Sequence, residues 1–335
     1  MLQLRNQSPF APFLTVLPDP DGVDTLHVVL KGTFTIFPRV EVAPTQLPPV
    51  LKDQFWGDPA SSSLRTASDA HLGKVSTDVV MIGDAWSGGR RVAEMLVALS
   101  VAERRKVVRI VGDRQWQDRG SGFTRPVPFE SMPLVYERAF GGVQKTDGDK
   151  GDVVAAEERN PLGVGFAGKR SPSEMVGRRL PNLEDPRFPL EKAGDRPAPA
   201  CFGFVAASWL PRRTFAGTYD QDWAKTRAPY LPRDFNRRFF NAAPADLVFE
   251  RFLTGGEPIE LNGVGRRGPL RFALPTARPE AEVRIAGQSL APPVCLETVV
   301  IEPDEDRVCL TWRAMLPCDK KALKIQQVTI GMNGR

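Results

Sequence analysis

Proline supplies 31 of the 335 residues, close to 9%, and glycine another 29. Proline lacks the amide hydrogen that a helix interior or a central strand uses, and glycine loses much backbone freedom when ordered. A share almost twice the usual 5% or so predicts short strands joined by ordered loops, with few and short helices.

The N-terminal third follows a period of two. In residues 24–37, Leu26, Val28, Leu30, Phe34 and Ile36 are apolar at even positions, while Lys31, Thr33 and Thr35 alternate with them. That pattern predicts a half-buried strand, with His27 on the non-apolar face. Residues 92–101 place Ala93, Met95, Val97, Leu99 and Val101 on one face. A charged turn at 103–106 and a returning strand at 107–111 follow. These segments read as a hairpin with a partner strand. Good helix formers at 92–102 keep a helix open there.

Residues 117–243 are crowded with Pro, Gly, Arg and Asp and show little periodicity. Its aromatic residues, among them Phe129, Tyr136, Phe140, Trp209, Trp223 and Phe240, bring more apolar surface than a solvated tail carries. An ordered, irregular layer is expected, with one mobile polar loop at 144–157.

The last part returns to β. Strands are expected at 247–253, 258–261, 269–274 and 281–285. A hairpin at 294–301 and 307–316 and a closing strand at 323–330 complete it. The expected class is mainly β: two antiparallel sandwich-like or open-barrel-like regions, 1–116 and 244–335, joined by the irregular layer 117–243.

Composition narrows the function. The net charge of +5 is small for this length, and 33 arginines stand against 12 lysines. Arg forms forked pairs with carboxylates and tolerates partial burial, so Arg–carboxylate contacts at a surface or cleft are one reading; biased base composition is the other. The Arg pairs, such as Arg90–Arg91 and Arg237–Arg238, are scattered among acidic residues. Nucleic-acid binding wants them clustered, so no nucleic-acid partner is expected. Cys201, Cys295, Cys309 and Cys318 lack metal-ligand spacing, and His27 and His71 are the two histidines. No metal and no cofactor are expected. No apolar stretch reaches the roughly 20 residues of a membrane helix. Pro9, Pro12 and Pro18 interrupt any leader-like run, so no membrane partner and a cytoplasmic location are expected.

Several segments of the middle stand out. They are Gly-Asp-Arg-Gln-Trp at 112–116, the run from Pro128 to Gly142, Asn-Pro-Leu-Gly-Val-Gly-Phe at 160–166 and Leu-Pro-Asn-Leu-Glu at 180–184. The longest runs from Gly217 through Trp223, Arg227 and Asp234 to Asp246. With the opening strand at 24–37 and Ser76-Thr77-Asp78-Val79-Val80, their order resembles the domain-of-unknown-function 2169 family over nearly the whole chain. The resemblance implies a non-enzymatic adaptor or chaperone of type VI secretion. Such a protein binds a secreted effector, or its PAAR-like domain, and helps load it onto the spike protein. The family brings no catalytic residues to carry over.

The residues expected at a partner surface come from these motifs: Asp113, Arg114 and Trp116; Tyr136, Glu137, Arg138 and Phe140; Tyr219, Asp220, Trp223, Arg227 and Asp234. Interface hot spots favour Tyr, Trp and Arg. If 134–140 is a strand, Tyr136, Arg138 and Phe140 share one face. The bland alternative makes these residues core and internal ion pairs, with arginines bridging Asp220 and Asp234 to hold the loop. Asp220 and Asp222, beside Trp223, also permit a carbohydrate-active β-sandwich, hydrolase or lectin. A structural subunit of the secretion particle is the third reading.

Overall fold

A computed structural model describes residues 2–118, 122–146 and 151–333, and the chain is mainly β. The central sheet has six strands. Ala11–Pro18, Asp24–Thr35, Arg307–Pro317, Val294–Glu302 and Asp78–Met81 lie side by side in that order, and Glu41–Val42 pairs with the end of Asp24–Thr35. Cross-strand partners share a face. On one face Leu30 opposes Trp312, and Trp312 opposes Leu296; Leu310, Val299 and Val79 form another row. All are buried in the main core.

The opposite face carries Lys31, Thr311, Thr298 and Asp78 in one row across four strands. It is buried too. The half-buried strand expected at 24–37 is therefore covered on both faces: the main core packs on one, and the segment from Leu47 to Asp69 lies over the other, where the Leu47 amide donates to the Thr33 hydroxyl and Lys31 sits 3.6 Å from Asp69. Alternation shows that two faces differ in polarity; it does not show that the polar one meets water.

A five-stranded sheet runs Leu183–Glu184, Arg104–Val111, Glu94–Val101, Pro258–Asn262, Leu270–Ala273. Val97, Leu99, Val108, Ile110, Ile259 and Leu261 fill the shared core from its inner side. The hairpin expected at 92–111 is present, but its turn is Ala102–Glu103, with Ala102 at φ +50° and Arg104–Lys106 already in the strand. A four-stranded sheet holds Gln3–Asn6, Ile325–Met332, Pro279–Ile285 and Gln288–Leu290.

Strand pairing does not respect the linear order of segments. Asp24–Thr35 pairs with Arg307–Pro317, Asp78–Met81 runs parallel to Val294–Glu302, and Glu94–Val101 pairs with Pro258–Asn262. The stretches 1–116 and 244–335 thus share sheets, some pairs are parallel, and no sheet closes into a barrel among the described residues. Residues 247–253 are not a strand. They form a 3₁₀ turn, Ala245–Leu247, then two isolated pairings, Val248 with Asp78 and Leu253 with Leu296.

The middle layer is irregular and has its own small core of Trp116, Phe140, Phe166, Met175, Leu180 and Leu190. Residues 144–157, expected as a mobile loop, contain two paired strands, Val143–Lys145 and Val153–Ala156; positions 147–150 lie outside the described residues. Residues 134–140 are not a strand either: Tyr136–Arg138 form a 3₁₀ turn.

Candidate functional site

The motif at 112–116 begins where the strand Arg104–Val111 ends. Gly112 packs so close to the neighbouring chain that a Cβ would lie 2.0 Å from the Val127 carbonyl oxygen. Only glycine leaves room there. Asn182, itself buried, ties the surrounding motifs together. Its Nδ2 donates to the Val111 carbonyl at 2.9 Å and to Asp113 Oδ1 at 3.0 Å, and its Oδ1 accepts from Arg138 at 3.1 Å. Arg114 lies inside, 2.6 Å from the Glu184 carboxylate. Burial raises the Glu184 pKa, against the pull of Arg114 and Arg109. Glu137 accepts from the Ser63 amide at 2.6 Å and its hydroxyl at 2.7 Å.

Of this first group, Asp113 is exposed; Trp116, Tyr136 and Phe140 are 1%, 4% and 1% exposed. Their expected place on a partner surface is corrected: they are core. Trp116 meets Phe123 edge-on and Tyr136 meets Trp209 at 5.3 Å. The aromatic content of the motifs could not separate the two roles, because burial decides between them.

The second group occupies a separate excursion. Asp220 caps the helix Gln221–Thr226 through a 2.8 Å bond from the Trp223 amide, so Asp220 and Asp222 are helix-start residues, not neighbours on a strand. Asp234 accepts from the Thr218 amide at 3.0 Å and hydroxyl at 2.7 Å, which holds its carboxyl below the usual range. Arg227 donates to the Leu231 carbonyl at 2.9 Å and to the Pro20 carbonyl. The loop is thus held by backbone carbonyls and a hydroxyl. Among the described residues, the expected Arg bridges to Asp220 and Asp234 do not form; Arg227 lies 3.5 Å from Asp21 instead. Around this frame Tyr219 packs on Trp223 at 4.7 Å, and Trp223 Nε1 donates to the Tyr230 carbonyl at 2.8 Å. Tyr219 and Tyr230 stay 53% and 43% exposed.

The largest polar feature was not singled out in the sequence. On the covered polar face of the central sheet, Arg313 donates to Glu297 at 2.8 Å and to the Asp69 carbonyl at 2.6 Å. Lys74 Nζ sits 2.6 Å from Asp78 and 2.7 Å from the Thr298 hydroxyl. Asp78 also accepts from Asn241 at 2.8 Å and the Ala242 amide at 2.6 Å. Lys31 lies 3.6 Å from Asp69. Three cations face three carboxylates, and all six are buried.

The two histidines border this network. The Gly73 amide donates to His71 Nδ1 at 3.0 Å, which places the proton of a neutral ring on Nε2. Burial, then Arg313 and Lys74, lowers the His71 pKa well below its ordinary value. Burial, then Arg313 and Arg237, lowers His27 to about 4. The signal available in the sequence was the charged odd-numbered positions of strands that are otherwise apolar.

Chemically, this is a buried, charge-balanced brace between the central sheet and the layer above it. Among the described residues, no group of three or more His, Cys, Asp or Glu is placed to hold a metal ion, and no helix is long and apolar enough to cross a membrane. The fold and its sites define a mainly β protein with several open sheets, a charge-balanced interior and an aromatic excursion on its surface. Over residues 21–313 the chain matches the model of the family described as an uncharacterized protein conserved in bacteria, DUF2169, and it belongs to that family. Comparison with curated proteins and with solved structures gave no match.

Proposed function

We propose that the chain is a non-enzymatic, cytoplasmic adaptor or chaperone of type VI secretion that holds an effector, or its PAAR-like domain, and helps load it onto the spike. The observation that carries this reading is the contrast within the longest motif. Asp220, Arg227 and Asp234 are engaged in holding the loop, while Tyr219 and Tyr230 are presented to solvent beside Trp223. Aromatic side chains held in place by their surroundings make good anchors for another polypeptide, because little conformational entropy remains to be lost on binding. The brace beneath supports the same reading: its charges neutralise one another. Cargo binding would stabilise the adaptor by mass action in return.

The test is co-expression with the product of a neighbouring effector gene, followed by purification on a tag carried by the effector. The proposal expects the two chains to elute together and the effector to precipitate when expressed alone. Failure to bind any such product counts against it.

A further inference from the structure

The five-stranded sheet has an edge that is only half covered. Leu183–Glu184 pairs with Arg104–Val111 at Ile110 and Arg109 alone. Pro186, which has no amide hydrogen, follows two residues later. The Val111 amide donates outward to the Asn182 carbonyl at 2.8 Å. Backbone groups alternate along a strand, so Val107 and Arg105 also point their amides and carbonyls outward. Among the described residues, nothing bonds to them. Each offers one donor and one acceptor.

A groove of about 570 Å³ opens along this edge. Small and apolar side chains, among them Ala198, Ala200, Val205 and Leu210, line it, with Tyr136 among them. Tyr136 is 4% exposed, and its hydroxyl has no hydrogen-bond partner among the described residues. Arg105, Lys106, Arg159 and Arg187 border the groove against two carboxylates, Asp185 and Asp246. Lys106 pairs with Asp246 and Arg187 with Asp185, both at 2.7 Å, and Arg159 pairs with Glu157 at 2.6 Å, whereas Arg105 forms no ion pair among the described residues.

We propose that an extended, acidic segment of a partner polypeptide adds to the sheet as a strand at Arg105–Val107. Its backbone pairs with the free amides and carbonyls, and its alternating side chains meet Arg105, the one bordering cation without an ion pair among the described residues, and the apolar floor. A small anion would use the cations and leave the sheet edge unpaired; a peptide uses both. This inference rests on the binding role proposed above and names the surface that performs it.

The probes are short synthetic peptides: alternating Glu and Val, alternating Lys and Val, and the Glu–Val peptide with alternate amides N-methylated. Titration into the full chain is expected to favour Glu–Val over Lys–Val. N-methylation, or Val107→Pro, is expected to weaken binding about tenfold, the effect of a lost interface hydrogen bond. Proline fits an edge position whose amide faces outward, and an unchanged melting temperature checks this. Should Val107→Pro fail to fold, Arg105→Glu replaces it, with loss of the preference for Glu. Equal binding of the methylated peptide, or no binding of Glu–Val, overturns the proposal. In the co-purification, effector retained by wild type and by Val107→Pro alike overturns the groove while leaving the adaptor role standing. No effector retained by wild type overturns the adaptor role, and the peptide titration still decides the groove.

Discussion

Arg313 Nε lies 2.8 Å from Glu297 Oε2, with both side chains at most 2% exposed, on neighbouring strands of the central sheet. Glu297 is the extra residue of a bulge: Leu296 opposes Trp312 and Thr298 opposes Thr311, leaving Glu297 unpaired between them. A bulge re-aims a side chain, and here it accompanies a carboxylate that meets both Arg313 and the Lys74 amide.

Removing one partner of such a pair strands a charge without water. Arg313→Met and Glu297→Gln are each expected to cost about 3–5 kcal/mol. The double variant Arg313→Met/Glu297→Gln should cost clearly less than the sum of the two single losses, which urea denaturation measures. Additive losses would show that the two residues do not act as a pair.

Acid should loosen the brace before it affects the rest. His27 is held at about 4 against an ordinary 6.5, so between those values the unfolded chain binds more protons than the folded one. Stability is then complete above about pH 6.5 and falls as pH drops toward 4, by at most about 3 kcal/mol for this group. His71 acts with the same sign. Denaturation midpoints across that window should decline, and His27→Gln should flatten the decline. A midpoint independent of pH there contradicts this account.

Gly112 supplies a local test of the middle layer. Gly112→Ala puts a methyl group 2.0 Å from the Val127 carbonyl, and a backbone collision of that kind is expected to cost about 2–3 kcal/mol or more. Gly194→Ala is the control: nothing lies within 4 Å of the added carbon. The two melting temperatures should differ by several degrees, and equal values would contradict the packing described.

The aromatic excursion should affect binding without affecting folding. Tyr219→Ala combined with Tyr230→Ala is expected to weaken effector capture at least tenfold, the loss usual for hot-spot aromatics at about 2 kcal/mol. The melting transition should move by little, because Tyr219 and Tyr230 are 53% and 43% exposed. Pull-down and calorimetry on the same preparation separate the two effects.

What could be read from the sequence was the set of strands with strong alternation. The stretch 281–285 lies within Pro279–Ile285, whose residues are alternately buried and exposed along its length. The hairpin arms 294–301 and 307–316 fall within Val294–Glu302 and Arg307–Pro317. Partners were not legible, since periodicity names a face and not a neighbour: nothing near Asp78 announces its parallel alignment with Thr298. The brace stayed hidden for a related reason. Lys31 and His27 occupy the positions a solvated face would give them, and only the covering segment around Asp69 and His71 makes them interior. Tyr136 and Tyr219 look alike as motif aromatics, yet one is 4% and the other 53% exposed.

The central claim is that a motif-rich layer, braced from beneath by mutually neutralised charges, grips another polypeptide. Hydrogen exchange on the chain alone and on its complex with the neighbouring effector product tests it most directly. The account predicts slowed exchange at the Arg105 and Val107 amides and across residues 217–231 when the effector is bound. Unchanged exchange at both places, with protection confined elsewhere, would contradict it.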